Sequence, residues 1–291
     1  MWKLLQIELY KIFRRPRTYI SFAAITALIG VIQLGLKMDG EAYVDFLMSS
    51  LKDTFEFDGK ILNAYLVCYI ILQLLLIHVP LLIALIAADM ISGEANMGTL
   101  RLLLTKPVSK TNFMLAKFFA ACIYTLTLLV WIAIFALVCS IWLFGTDDLI
   151  IQKSSYVVQI NENDVFWRYI GAFGFALLSM LTVTALGFFL SIFAENSIGP
   201  IVTTMSIIII CTILSTMTIP LFQKIQPYLF TTHMVNWKEF FDEKVDDQNV
   251  VIAGSIQNPQ RIIDSALVLV LHIVGFVAAS IYIFKKRDVL S

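Results

Sequence analysis

Residues able to do chemistry are few in this chain, and their spacing argues against covalent catalysis. His78 and His272 stand in different apolar runs, and neither belongs to an HExxH pair or a Cys/His cluster. No catalytic residue, cofactor site or metal site is therefore expected. The four cysteines, Cys68, Cys122, Cys139 and Cys211, all fall inside apolar runs and are expected to be small buried hydrophobes. There is no phosphate-cradling GxxxxGK[ST] loop, so any nucleotide energy must arrive from another chain. What remains is a set of polar side chains within apolar runs: Gln33, Asn63, Gln73, His78, His272, and a hydroxyl-rich run from Thr203 to Thr218. Polar groups at membrane depth cost free energy and flag function. Gln73, His78, Thr204, Thr212 and Thr216 are the candidates for lining a translocation path. The competing reading is interhelical hydrogen bonding, typically about 0.6 kcal/mol per contact.

These residues need a membrane scaffold, and the composition supplies one. The chain is 59% hydrophobic and 14% charged, with a mean hydropathy of +0.84, whereas a soluble domain carries about a quarter charged residues. Six apolar runs, 18–36, 61–88, 113–144, 169–194, 199–222 and 265–284, suit the roughly 20 residues that cross a bilayer. The second and third, 28 and 32 residues long, must tilt, kink or project into water, and Pro80 gives the second a reason to kink. The first run is too long for a signal-peptide core, and no small-residue cleavage site follows it.

Charge sets the orientation. With the N-terminus inside, the inner segments 1–17, 89–112 and 285–291 hold five, three and three Lys or Arg. The longer outer segments 37–60, 145–168 and 223–264 hold three, two and four, against six, four and six acidic residues. Both termini are thus expected in the cytoplasm. Residues 1–17 are expected to form an amphipathic helix with Leu5, Leu9, Ile12 and Phe13 on one side, Trp2 with them, suited to the headgroup plane. In the outer segments, LIIQ and YVVQI suggest a small hairpin or an irregular cap. Thr231 or Thr232 is expected to cap a helix carrying Met234, Trp237 or Val235, Phe241 and Val245 on one side. Tyr228, Phe230 and Trp237 suit an interfacial aromatic belt, Asn258-Pro259 starts the last helix, and Arg261 and Asp264 are expected to pair.

The stretch 91–117, ISGEANMGTLRLLLTKPVSKTNFMLAK, interrupts two of the longest apolar runs. Gly93 and Gly98 bracket an acidic turn at Glu94, residues 99–104 suit a short helix, Lys106-Pro107 stops it, and Ser109 or Thr111 caps the next span. Glu94, Gly98-Thr99-Leu100, Leu103-Leu104, Pro107-Val108-Ser109-Lys110 and Lys117, in that order, resemble the permease subunits of ABC-2 type transporters. Those carry a glutamate, G-T-L, two leucines, P-V-S-[RK] and a lysine. Ala95-Asn96-Met97 depart from the charged residues usual after the glutamate.

The resemblance implies an all-α integral membrane fold of the ABC-2, type V exporter kind. It has six transmembrane helices, an N-terminal interfacial helix, and a cytoplasmic coupling helix between helices 2 and 3, all in one transmembrane domain. It further implies a second permease subunit and a cytoplasmic ABC ATPase partner holding ATP and Mg. Glu94, Gly98, Thr99, Leu100, Arg101, Leu103, Leu104, Pro107 and Lys110 would couple to that ATPase. The setting would be a bacterial-type cytoplasmic membrane, without nucleic acid. The alternatives are a membrane scaffold or sensor that binds an ABC ATPase without transporting, or an intramembrane enzyme, which would need a nucleophile–base pair that the chain does not offer.

Overall fold

The computed structural model describes residues 1–47, 60–100, 109–153, 157–246 and 251–286, and among them six helices are long and apolar enough to cross a bilayer. Helix α1 (Trp2–Arg14) ends where Arg15 turns extended. Pro16, whose fixed φ suits a first helical position, then opens α2 (Pro16–Leu47). Across this corner Thr18 Oγ1 donates to Ile12 O at 2.5 Å. Helix α2 runs well past the expected end at residue 36, with a break at Asp39 (φ −124°, ψ 17°).

Helix α3 (Ala64–Ala87) contains Pro80 and is capped by Asn63, whose Oδ1 accepts from Tyr65 N and Leu66 N. A short helix, α4 (Ser92–Asn96), follows. Ser109 caps the long α5 (Lys110–Phe144), which widens into a π-turn at Ile134–Val138 and stops at Gly145, at φ +75°. Asn161 caps α6 (Glu162–Leu190).

Helix α7 (Ile198–Thr216) is shorter than the expected run 199–222. It ends at Thr216, where Met217 turns extended at ψ 131°, and Ile219, extended before Pro220 as pre-proline residues are, keeps the chain from resuming that helix. The short α8 (Pro220–Gln223) and α9 (Phe230–Met234) lead to the last span, α10 (Pro259–Lys286), which begins at the expected proline.

The spans bundle around α6, the most buried of the six, while α7 and α10 are the least buried. Gly187 lets α6 approach the end of α3, where a Cβ would lie 3.2 Å from Ala87 Cβ and Ala88 N. The bundle has two distinct ends. The near end gathers α1, the α3–α5 connection and the C-terminus of α10, where Lys110 Nζ donates to Lys285 O at 3.2 Å. The far end carries β1 (Leu149–Gln152) paired antiparallel with β2 (Val157–Ile160), and β3 (Lys244–Val245) paired with β4 (Val251–Ile252).

The helix expected through Met234 and Val245 is not one helix. After α9 the chain tightens to a 3-10 helix over Val235–Phe241, and Val245 lies in a strand. No side chain caps α9, which starts after Leu229. Where the 3-10 helix ends, Arg168 Nη1 donates to Phe240 O at 2.8 Å, engaging a carbonyl that a continuing helix would use. Phe230 and Trp237, each 4% exposed, are core residues rather than a lipid-facing belt, whereas Tyr228 is exposed. Trp237 and Phe241 pack on Tyr69 with ring centroids 5.4 and 5.5 Å away. Arg261 pairs with Glu239 at 2.9 Å rather than with Asp264, which accepts from Gln260.

Candidate functional site

The chemistry-bearing groups of the near end form one buried charge cluster. Lys117, on the second turn of α5 and 1% exposed, places Nζ 2.9 Å from Glu8 Oε2 and 2.8 Å from Glu94 Oε1. Lys11 closes the ring, with Nζ 2.8 Å from Glu8 Oε1 and 2.7 Å from Glu94 Oε1. Two carboxylates and two ammonium groups thus alternate, and their charges sum to zero. Lys117 Nζ also donates to Met90 O at 3.0 Å and lies 5.0 Å from the Phe113 ring centroid. Buried charges are tolerated when paired and hydrogen-bonded in this way.

Beside this ring, Asp89 Oδ2 receives Arg15 Nη1 at 2.5 Å and Arg17 Nη1 at 2.8 Å. Together the seven groups join α1, the α1–α2 corner, the end of α3, α4 and the start of α5. Each position has a local cause. Glu8 lies one turn from Leu5 and Ile12, so packing that stripe on the bundle carries the carboxylate inward. Gly93 is needed because a Cβ there would sit 2.5 Å from Asp89 Oδ1. Gly98, at φ +70°, turns the chain out of α4 in a conformation that glycine adopts readily.

The ring tunes its own members. Burial raises the Glu8 carboxyl, but the two lysines outweigh it and hold the group below its ordinary 4.5. Burial lowers the Lys11 ammonium, but its bonds to Glu8 and Glu94 outweigh it and hold the group above its ordinary 10.5. Both residues stay charged across neutral pH, as an ionic clasp requires.

The structure brings together only part of the expected loop set. Glu94 is 3% exposed and faces the interior, and Leu100, 6% exposed, belongs to the core. Thr99 Oγ1 donates to Glu94 O at 3.3 Å, Gly98 is exposed, and Lys110 lies at the start of α5. Arg101, Leu103, Leu104 and Pro107, like most of the expected helix 99–104, lie outside the described residues. Glu8, Asp89 and the two arginines were missed by sequence reasoning. A signal for Glu8 was present, since a lone carboxylate in the middle of an apolar stripe calls for a buried partner.

The apolar stripe of α1 itself needs correction. Leu5, Leu9, Ile12 and Phe13 pack against the protein core rather than lipid, because α1 docks along α5 with that face.

The intramembrane polar residues divide. Gln73 and His78 are exposed on α3, about 140° apart around the helix, with exposed Leu74 and Ile77 between them. Thr212 lines a cavity of about 140 Å³ between α3, α7 and α9, alongside Ile77 and Pro80. Thr204 is buried and donates to Pro200 O, and Thr216 donates to Ile213 O. Gln33 bridges helices instead, donating to Phe135 O inside the π-turn at 2.9 Å and to Ser140 Oγ at 3.0 Å. His272 Nδ1 donates to Val268 O of its own helix.

A second charge cluster holds the far end. Arg168, fully buried, contacts Asp164 Oδ2 at 2.5 Å and Glu243 Oε1 at 2.9 Å. Lys153 pairs with Asp242, which joins the β1–β2 hairpin to the segment after α9.

Six spans, an N-terminal helix docked under them and an inter-span loop locked to both define a multi-pass membrane protein. A family model described as ABC-2 family transporter protein matches residues 2–289, and the chain belongs to that family. None of the curated proteins compared with it matches. Membership makes it the permease component of an ABC transporter and implies an association with an ABC ATPase.

Proposed function

We propose that this permease is the membrane subunit of an ATP-driven exporter. Its near end faces the cytoplasm and receives force from a separate ABC ATPase, which holds the ATP and Mg. The observation that carries the reading is the clasp of Glu8, Lys11, Glu94 and Lys117. Because the loop after α3 is tied to α1 and α5, a push on the loop moves the interfacial helix and two spans as one body. The Lys and Arg bias of residues 1–17 supports the same orientation.

In this reading Glu94 and Leu100 build the seat from within. The ATPase meets Gly98, Arg101, Leu103, Leu104, Pro107 and Lys110, apolar residues anchoring it and cations fixing its register. A second permease subunit pairs across the exposed faces of α3 and α7, and cargo passes Gln73, His78, Thr212 and Thr216 between them. The membrane is a bacterial-type cytoplasmic membrane.

Co-purification with an ATPase encoded beside it, followed by ATP hydrolysis assays in lipid, tests the proposal. Leu103→Asp should lose the ATPase while the chain still inserts. Recovery of the ATPase at wild-type yield with that variant would overturn the seat.

A further inference from the structure

Turned away from the bundle, α1 has a second face that the clasp does not use. Glu8 is the only carboxylate before Asp39, and it points inward against Lys11 and Lys117. The outward side therefore carries cations without any acidic neighbour on its own element: Lys3 and Arg14 are exposed, and no ion pair involves either among the described residues. Between them on that face is Tyr10, 62% exposed, and beside them at the helix's first residue is Trp2, 68% exposed. The Arg14 guanidinium lies 5.2 Å from the Tyr10 ring centroid.

The same chemistry recurs at this end of the bundle. Lys286 Nζ lies 4.4 Å from the ring centroid of Tyr282, itself exposed, at the C-terminus of α10. Exposed Tyr19 and Ile20 follow Arg17 on the first turn of α2, so cations and aromatics alternate from α1 into a span.

We infer that the outer face of α1 is a binding site for anionic phospholipid headgroups, with Lys3 and Arg14 as the phosphate-binding groups and Trp2 and Tyr10 as the interfacial anchors. Three observations favour lipid over an acidic protein surface. The helix joins the first span through the single residue Arg15, which keeps it beside that span's end. Indole and phenol rings partition to headgroup depth. Finally, the cation–aromatic pairing reappears on α10, a span end that must meet the same layer. Attraction of basic residues to anionic lipid is electrostatic and short-ranged, so it weakens with salt. The inference does not depend on ATPase coupling or on the cargo.

The test uses the full chain in lipid nanodiscs without an ATPase. Phosphatidylcholine discs receive equal fractions of either phosphatidylglycerol or phosphatidylcholine brominated near the acyl carbonyl. Quenching of Trp2 is isolated by subtracting the Trp2→Phe variant. Brominated phosphatidylglycerol should quench Trp2 roughly twofold or more above brominated phosphatidylcholine at low salt. That preference should vanish at high salt and in Lys3→Gln/Arg14→Gln, whose clasp is untouched and whose melting temperature should match wild type. Equal quenching by the two lipids in the wild type would overturn the inference, leaving only unselective contact. Absence of quenching by either would also overturn it, because the face would then be covered by protein.

Discussion

Replacing Lys117 by methionine removes the hub of the clasp while keeping the length of the side chain. Glu8 Oε2 and Met90 O lose their donor, at 2.9 and 3.0 Å, and Glu94 Oε1, 2.8 Å from Lys117, is left with Lys11 alone. The ring falls from zero to one net negative charge, with two carboxylates sharing Lys11 in a site where both are nearly inaccessible. Breaking a buried pair by removing one partner costs about 3–5 kcal/mol, because the stranded charge is left without compensation. Since the ring ties α1 to α5 and to the loop after α3, the cost should appear as local opening of α1, by roughly 150- to 4000-fold. Amide hydrogen exchange over Leu5–Ile12, measured by mass spectrometry in nanodiscs, reads that opening directly. Glu8→Leu/Lys117→Met should recover most of the protection, because the stranded carboxylate is replaced by an apolar group and Glu94 keeps Lys11. Wild-type exchange in Lys117→Met would refute the view that the clasp holds α1. So would a double variant as labile as the single one.

Other consequences are equally open to measurement. Gly93→Ala should destabilise the near end by about 1–3 kcal/mol, through the clash of the new Cβ with the Asp89 carboxylate. Adding Asp89→Ala should cost less than additively, as read by thermal unfolding in detergent. Glu8 sits below 4.5 when folded, so its contribution is complete above pH 4.5 and is lost as pH falls through that depressed value. Lys11 sits above 10.5 when folded, so its contribution is complete below pH 10.5 and is lost as pH rises through the raised value. Trp2 emission, corrected with Trp2→Phe, should therefore stay flat between these limits and change beyond both. At the far end, Arg168→Leu strands Asp164 and Glu243 and frees Phe240 O. It should loosen the segment after α9 by about 3–5 kcal/mol, seen as faster limited proteolysis there.

The membrane fold was legible because hydropathy acts over long windows. Six runs became six helices, and caps such as Asn63 and Ser109 and the start at Pro259 are written in single residues. Span ends were less legible where polar helix continues beyond apolar sequence, as in α2, or where proline geometry cuts an apolar run, as before Pro220. The resemblance pointed to Glu94 and Lys117, but their partnership with α1 did not follow from it. Glu8 and Lys117 are brought together only by packing, and periodicity cannot say whether an apolar stripe faces lipid or protein. The same limit hid Arg168, whose partners include Glu243 and a backbone carbonyl from a distant segment.

Glu8 and Lys117 are 109 residues apart in sequence, which gives the clasp a history as well as a geometry. At about 5–20 residues per second of synthesis, roughly 5–20 s separate the emergence of the two side chains. During that interval the first two spans are already made, while α1 carries a carboxylate whose main counter-ion does not yet exist. Lys11, one turn away, is the only ring lysine available, and pairing on a helix surface is weak. The N-terminal helix must therefore wait in water or among headgroups until the third span arrives. It is the first helix to be made, and it can be locked into place only after later ones are present.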